Sequence, residues 1–137
     1  MKKVLVVLFV VGSVLTFISC NKDDDEKTDP IVGKWSYYQE FENGIEYQLD
    51  ECELKNTLEF KTNGTFTSIY YDDSLGNGCI MDDSEIGEWK NVGNSNYNFT
   101  FDVDDTETIK ITFEGDTFSI EEDDGEDTYK TVFKRVN

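Results

Sequence analysis

The chain has 137 residues, with 30 Asp and Glu against 12 Lys and Arg, no histidine, and a formal charge of −18. That balance excludes nucleic acid as a partner, because phosphate binding needs a basic surface, and it disfavours anionic headgroups for the same reason. The missing histidine removes every Ser–His and Cys–His arrangement for nucleophilic catalysis.

The chain opens with Lys2 and Lys3, followed by an uncharged and almost wholly apolar run from Val4 to Ile18. This is the layout of a secretory signal. Phe17-Ile18-Ser19-Cys20 resembles a bacterial lipobox rather than an A-x-A cleavage site, with Phe17 standing where Leu is preferred. A membrane-spanning helix needs about 20 apolar residues, whereas Lys3 and Asn21 bracket 17 positions. The expectation is a lipoprotein signal peptide over residues 1–19 and a lipid on Cys20, through which the membrane becomes a partner. Two acyl chains anchor stably at ~0.8 kcal/mol per buried methylene, where one does not.

Lys22-Asp23-Asp24-Asp25-Glu26 comes next. It resembles the Lys-then-acidic export signal of Bacteroidetes surface lipoproteins, which implies an outer-membrane lipoprotein exposed on the cell surface. A periplasm-facing lipoprotein is the alternative. The same run is also a solvated tether, since a charged, unpatterned segment cannot bury enough apolar area to fold. The tether spans residues 20–30 and ends at Pro30, the single proline. Residues 31–137 then form one domain of ordinary size.

With Cys20 taken by lipid, Cys52 and Cys79 remain as an even pair in an oxidising compartment, which reads as a disulfide. It closes a loop worth ~3.5 kcal/mol in the chain-entropy model. A metal or redox pair competes, but there is no CxxC spacing and no histidine.

After Pro30 the pattern is β throughout. Trp35, Tyr37 and Phe41 alternate with polar positions, as do Leu58 and Phe60, Phe66 and Tyr70, Tyr97, Phe99 and Phe101, and Ile109, Ile111 and Phe113. Asn63-Gly64 is a strong hairpin signal, because a type I′ turn needs positive φ at both central residues. Gly115-Asp116 and Asp124-Gly125 mark later turns. Eight strands are predicted, at 33–41, 56–62, 65–72, 85–92, 96–103, 106–114, 116–122 and 127–135, with a weak ninth at 45–49. A long loop is expected between Tyr71 and Glu85, pinned by Cys79. Short connections from Asn94 onward predict an antiparallel meander. The fold class is therefore all-β, a small antiparallel up-and-down eight-stranded barrel, because closure removes the exposed edges. A two-sheet sandwich is the alternative.

Several of these pieces resemble one family in order. They are Gly33-Lys34-Trp35, Cys52, Thr57 to Phe66 with its Asn63-Gly64 turn, Cys79, Gly87-Glu88-Trp89, and the closing Tyr129 to Arg135. Together they are similar to the Bacteroidetes lipocalin-like lipoproteins over residues 31–136. The resemblance implies a lipocalin-type barrel in which Trp35 closes the floor and a basic residue, Lys134 or Arg135, packs over it. It carries over no ligand.

An eight-stranded barrel is either filled by side chains or holds one small ligand. The expected inward residues are Trp35, Tyr37, Leu58, Phe60, Phe66, Tyr70, Trp89, Tyr97, Phe99, Phe101, Ile109, Ile111, Phe113, Phe118 and Phe133. Among them Tyr37, Phe60, Tyr70, Trp89, Tyr97 and Phe99 are the candidate ligand-binding residues. The acidic clusters at 102–107 and 121–127 lack EF-hand spacing and read as solvated turns, so no metal site is expected. No cofactor is expected, and no catalytic residue is nominated. Asp73-Ser74-Leu75 resembles a Bacteroidetes O-glycosylation site, which makes Ser74 a candidate for modification. Two functions follow. One is a non-catalytic lipoprotein whose barrel takes a small apolar or amphipathic ligand. The other is a filled barrel acting through its outer surface as an interaction or adhesion module.

Overall fold

Trp35, only 1% exposed, lies at the base of a closed barrel that accounts for nearly all the described chain. The computed structural model describes residues 28–137 apart from 75 and 77. Cys20 and the acidic run from Lys22 to Glu26 lie outside the described residues, as does Leu75.

Among the described residues there are nine strands: β1 (Gly33–Glu42), β2 (Ile45–Tyr47), β3 (Thr57–Phe60), β4 (Thr65–Asp72), β5 (Ile80–Gly93), β6 (Asn96–Asp102), β7 (Asp105–Glu114), β8 (Thr117–Asp123) and β9 (Thr128–Arg135). All pairings are antiparallel and follow chain order from β3 to β9. β9 returns to β1 along a ladder from Trp35↔Arg135 to Glu42↔Tyr129, so β1 and β3–β9 close an eight-stranded barrel. Closure leaves no long free edge. The sandwich alternative is set aside by that ladder. β2 is a short outer partner of β1's far end.

The turns divide the barrel into two ends. At the closed end lie the β3–β4, β5–β6 and β7–β8 turns and the incoming segment 29–32. At the open end lie the β1–β2, β4–β5, β6–β7 and β8–β9 connections. Gly64 adopts φ 83° but Asn63 does not take positive φ, so the hairpin falls where expected without being the expected type I′ turn. It is a three-residue loop closed by the Lys61 amide on the Thr65 carbonyl at 2.9 Å, with Gly64 in the left-handed position.

Residues from several strands build the floor. Trp35 Nε1 donates to the Ile31 carbonyl at 2.7 Å. The guanidinium of Arg135 sits 4.0 Å from the Trp35 ring centroid. It donates to the Val32 carbonyl at 2.9 Å and the Pro30 carbonyl at 2.7 Å. Arg135 is therefore the basic residue of the floor. The register decides it: Arg135 stands opposite Trp35 and shares its face, whereas Lys134 stands opposite Ser36. Gly33 has no side chain because a Cβ there would strike the Arg135 guanidinium.

Two expectations change. β5 begins at Ile80, so the connection after β4 occupies residues 73–79 instead of the whole stretch from Tyr71 to Glu85. Residues Ile80 to Ile86 are all exposed and show no apolar alternation; backbone pairing to β4, through a bulge at Tyr70/Tyr71, makes them a strand. Phe101 lines the open end of the lumen as expected of an inward residue, yet it is 41% exposed, because the strand carries it up to the rim.

Gly87 supports the core by being absent as a side chain. A Cβ there would come within 2.5 Å of Phe66 Cε1 and 2.6 Å of the Thr100 carbonyl oxygen. The ring is buried and the carbonyl is fixed in the β5–β6 ladder, so neither yields easily. Gly87→Ala is expected to lower stability by about 1–3 kcal/mol, the usual range for overpacking. Urea unfolding checks this, and an unchanged midpoint would contradict the packing described.

Candidate functional site

The lumen above the floor contains a cavity of about 160 Å³ that opens at the β4–β5 end. Its wall is mainly aromatic and aliphatic: Phe60, Phe66, Phe99, Ile111, Phe118 and Phe133 form the lower part. These rings hold one another by edge and tilted contacts, such as Phe66–Phe99 at 5.6 Å and Phe60–Phe99 at 5.9 Å between centroids. Nearer the opening the wall acquires polar atoms from Tyr37, Ser68, Tyr70 and Glu85.

Cross-strand pairing explains how those residues converge. Leu58, Ser68 and Glu85 are direct neighbours across β3, β4 and β5, and therefore share the inward face. Tyr70 lies two residues on from Ser68 and so points the same way. Tyr37 packs edge-on against Phe133 with centroids 4.8 Å apart.

Four of the six expected ligand-binding residues line this cavity: Tyr37, Phe60, Tyr70 and Phe99. Trp89 and Tyr97 lie below it. Trp89 packs against Phe60 and Tyr97, and its Nε1 donates to the Lys61 carbonyl at 3.1 Å. The Tyr97 hydroxyl donates to Asp29 Oδ1 at 2.9 Å, and Asn91 Nδ2 donates to Asp29 Oδ2 at 2.7 Å. That hydroxyl is thus committed to holding the incoming chain across the floor. Alternation gave the face of Trp89 and Tyr97 but not their height. Ser68, Glu85 and Ile120 also line the cavity, and apolar alternation could not nominate the first two.

The Cys52–Cys79 disulfide stands at the same end as the opening. β3 is only four residues long, which leaves β1 and β4 without a strand between them above Thr57. The segment carrying Cys52 and the 3-10 turn Glu53–Lys55 fills that gap. Asn56 spans it, accepting the Tyr71 amide on Oδ1 at 2.8 Å and the Tyr37 amide on its carbonyl at 3.1 Å.

Charge around the site shifts several groups. Burial raises the Tyr37 phenol well above its usual value, and Tyr70, Glu40 and Glu85 add to the rise. Burial and the Asp29 carboxylate do the same to Tyr97. Burial, followed by Glu53, raises Glu40. The acids of the last hairpin serve its turn, as expected: Asp124 Oδ1 accepts the amides of Glu126 and Asp127, and those bonds lower its pKa.

These two raised phenols, Tyr37 partly buried and Tyr97 buried, give a pH prediction. The folded state holds their protons more tightly than the unfolded chain does. Their contribution to stability is therefore intact below about pH 10 and is lost as the pH climbs through the raised values. Alkaline absorbance titration should show Tyr37 and Tyr97 ionising last among the seven tyrosines. One common step near pH 10 in the folded protein would contradict this.

The comparisons agree with the architecture. A family model described as a lipocalin-like domain matches residues 31–134. No curated protein matches the chain. Among solved structures, a lipocalin-like protein from Bacteroides uniformis is similar at a TM-score of 0.54 and 17% identity, over 77% of this chain and 98% of that one. At that identity the likeness speaks for the fold alone. With the closed barrel, the Trp35–Arg135 floor and a family match over most of its length, this chain belongs to the lipocalin-like domain family.

Proposed function

We propose that this protein is a non-catalytic lipoprotein, held by a lipid on Cys20 at the outer membrane and displayed on the cell surface, whose barrel binds a small apolar or amphipathic ligand. The observation that carries the binding role is the open lumen cavity, apolar below and polar at its rim. Its volume of about 160 Å³ lies under the usual 300–1,000 Å³ of drug-sized sites, so the ligand is a small one. The anchoring role rests on the apolar leader, the Phe17-Ile18-Ser19-Cys20 motif and the acidic run after it.

Native mass spectrometry of the protein extracted from its own membranes tests both parts. The expected result is a diacylglyceryl mass on Cys20 and a small non-covalent adduct lost on denaturation. An unmodified Cys20 discards the anchor, and a protein that never carries an adduct discards the carrier role.

A second reading has its own support. Tyr38, Tyr47 and Leu54 are exposed apolar residues around a surface depression of about 480 Å³ beside the β1–β2 hairpin. Exposed apolar surface of this kind suits an interaction module. A retained partner protein with an empty lumen would favour it.

A further inference from the structure

We infer that the lumen is built for a small organic cation, a protonated amine carrying one ring-sized apolar group; this rests on the proposed use of the lumen as a binding site. Three independent observations lead to it.

The first is the sign of charge on the inward face. Strand register places Glu40 opposite Thr131, which is itself opposite the lumen residue Ile120. It places Asp83 opposite Tyr70, Glu85 opposite Ser68, and Glu107 opposite Phe99. Glu122 stands two residues beyond Ile120 on the same strand. Directly paired residues share a face, and so do residues two apart. Five carboxylates from four strands therefore fall on the inward side of the ladders towards the open end, with Glu85 in the cavity wall itself and the others at its exposed mouth. The strand lysines of this half fall on the other face: Lys130 pairs with the outward Phe41, and Lys110 alternates with the inward Ile109 and Ile111. The inward guanidinium, Arg135, is at the floor, stacked on Trp35 and bonded to two carbonyls. An anionic ligand would meet carboxylates and find no base.

The second observation is the apolar volume beneath those carboxylates. A cavity of about 150 Å³ accepts one benzene ring, and this one measures about 160 Å³. Its aromatic walls also suit a cation at their faces.

The third is Ser68. It is 2% exposed, lines the cavity and stands directly opposite Glu85 in the β4–β5 ladder. An ammonium group held by Glu85 would lie within reach of this hydroxyl, whose oxygen can accept a further hydrogen bond from it.

Calorimetric titration of the protein with three probes sharing one ring tests the inference: 2-phenylethylamine, 2-phenylethanol and 3-phenylpropanoate. The amine is expected to bind about tenfold or more tightly than the alcohol, as a charge-assisted hydrogen bond allows, and the acid most weakly. Glu85→Gln combined with Glu40→Gln should narrow the gap between amine and alcohol by weakening the amine. Ser68→Leu, which fills the cavity, should abolish binding of all three. If the alcohol or the acid binds as tightly as the amine and Ser68→Leu still blocks it, the cation preference is overturned while the lumen remains a binding site. If none of the probes binds the folded protein, or Ser68→Leu leaves binding intact, both the cation inference and the lumen reading fall.

Discussion

Trp35→Ala should cost about 3–5 kcal/mol, the range for deleting a large buried aromatic. The ring is almost wholly buried and packs edge-on against Phe118 at 4.7 Å and against Phe113 at 6.4 Å. Its removal also strips Arg135 of the face it lies on and leaves the Ile31 carbonyl without its indole donor. The segment 29–32 would then lose one of its attachments to the floor. The measurement is urea unfolding of the variant, paired with exchange of the Ile31 and Val32 amides. A cost below about 1 kcal/mol would show that the closed end does not depend on this ring.

Breaking the Cys52–Cys79 bond should cost about 3.5 kcal/mol if loop closure in the unfolded chain dominates. The double replacement Cys52→Ser with Cys79→Ser isolates this from any thiol chemistry. The effect should also be local. The bond holds the segment that fills the space between β1 and β4, so the Asn56 bridge to Tyr71 and Tyr37 should loosen first. Faster exchange at those two amides, with the Trp35 floor still protected, is the expected pattern. Uniform loosening across the barrel would show that the bond is not specific to the open end.

Much of the architecture was legible because one buried face imposes a period of two on every strand. Trp35, Phe60, Phe66, Tyr97, Phe99, Ile111, Phe118 and Phe133 are all buried as alternation predicts. The place of the Asn63-Gly64 turn, though not its type, and the pairing of Cys52 with Cys79 were legible for equally local reasons, the glycine's freedom at positive φ and cysteine parity. The first half of β5 was not legible, because Ile80 to Ile86 bury nothing and are ordered by ladder bonds. The choice between Lys134 and Arg135 needed the β1–β9 register. The site was legible in part for a related reason. A period of two tells which residues face inward, but only pairing tells how high each one stands. Tyr97 therefore falls at the floor while Tyr37 and Tyr70 reach the cavity. The inward acids looked like ordinary solvated strand residues until register placed Glu40 and Glu85 beside Tyr37.

Asp29 fixes where the chain arrives. Its carboxylate is gripped by Tyr97 and Asn91, and its carbonyl accepts the Val32 amide at 3.0 Å, all at the closed end. Even fully stretched, the stretch from Cys20 to Asp29 covers about 30 Å. A lipid on Cys20 would thus hold the barrel bottom-down on the bilayer, like a cup standing on its base. The aperture would face the surrounding medium, and a guest would arrive from the aqueous side instead of climbing out of the lipid.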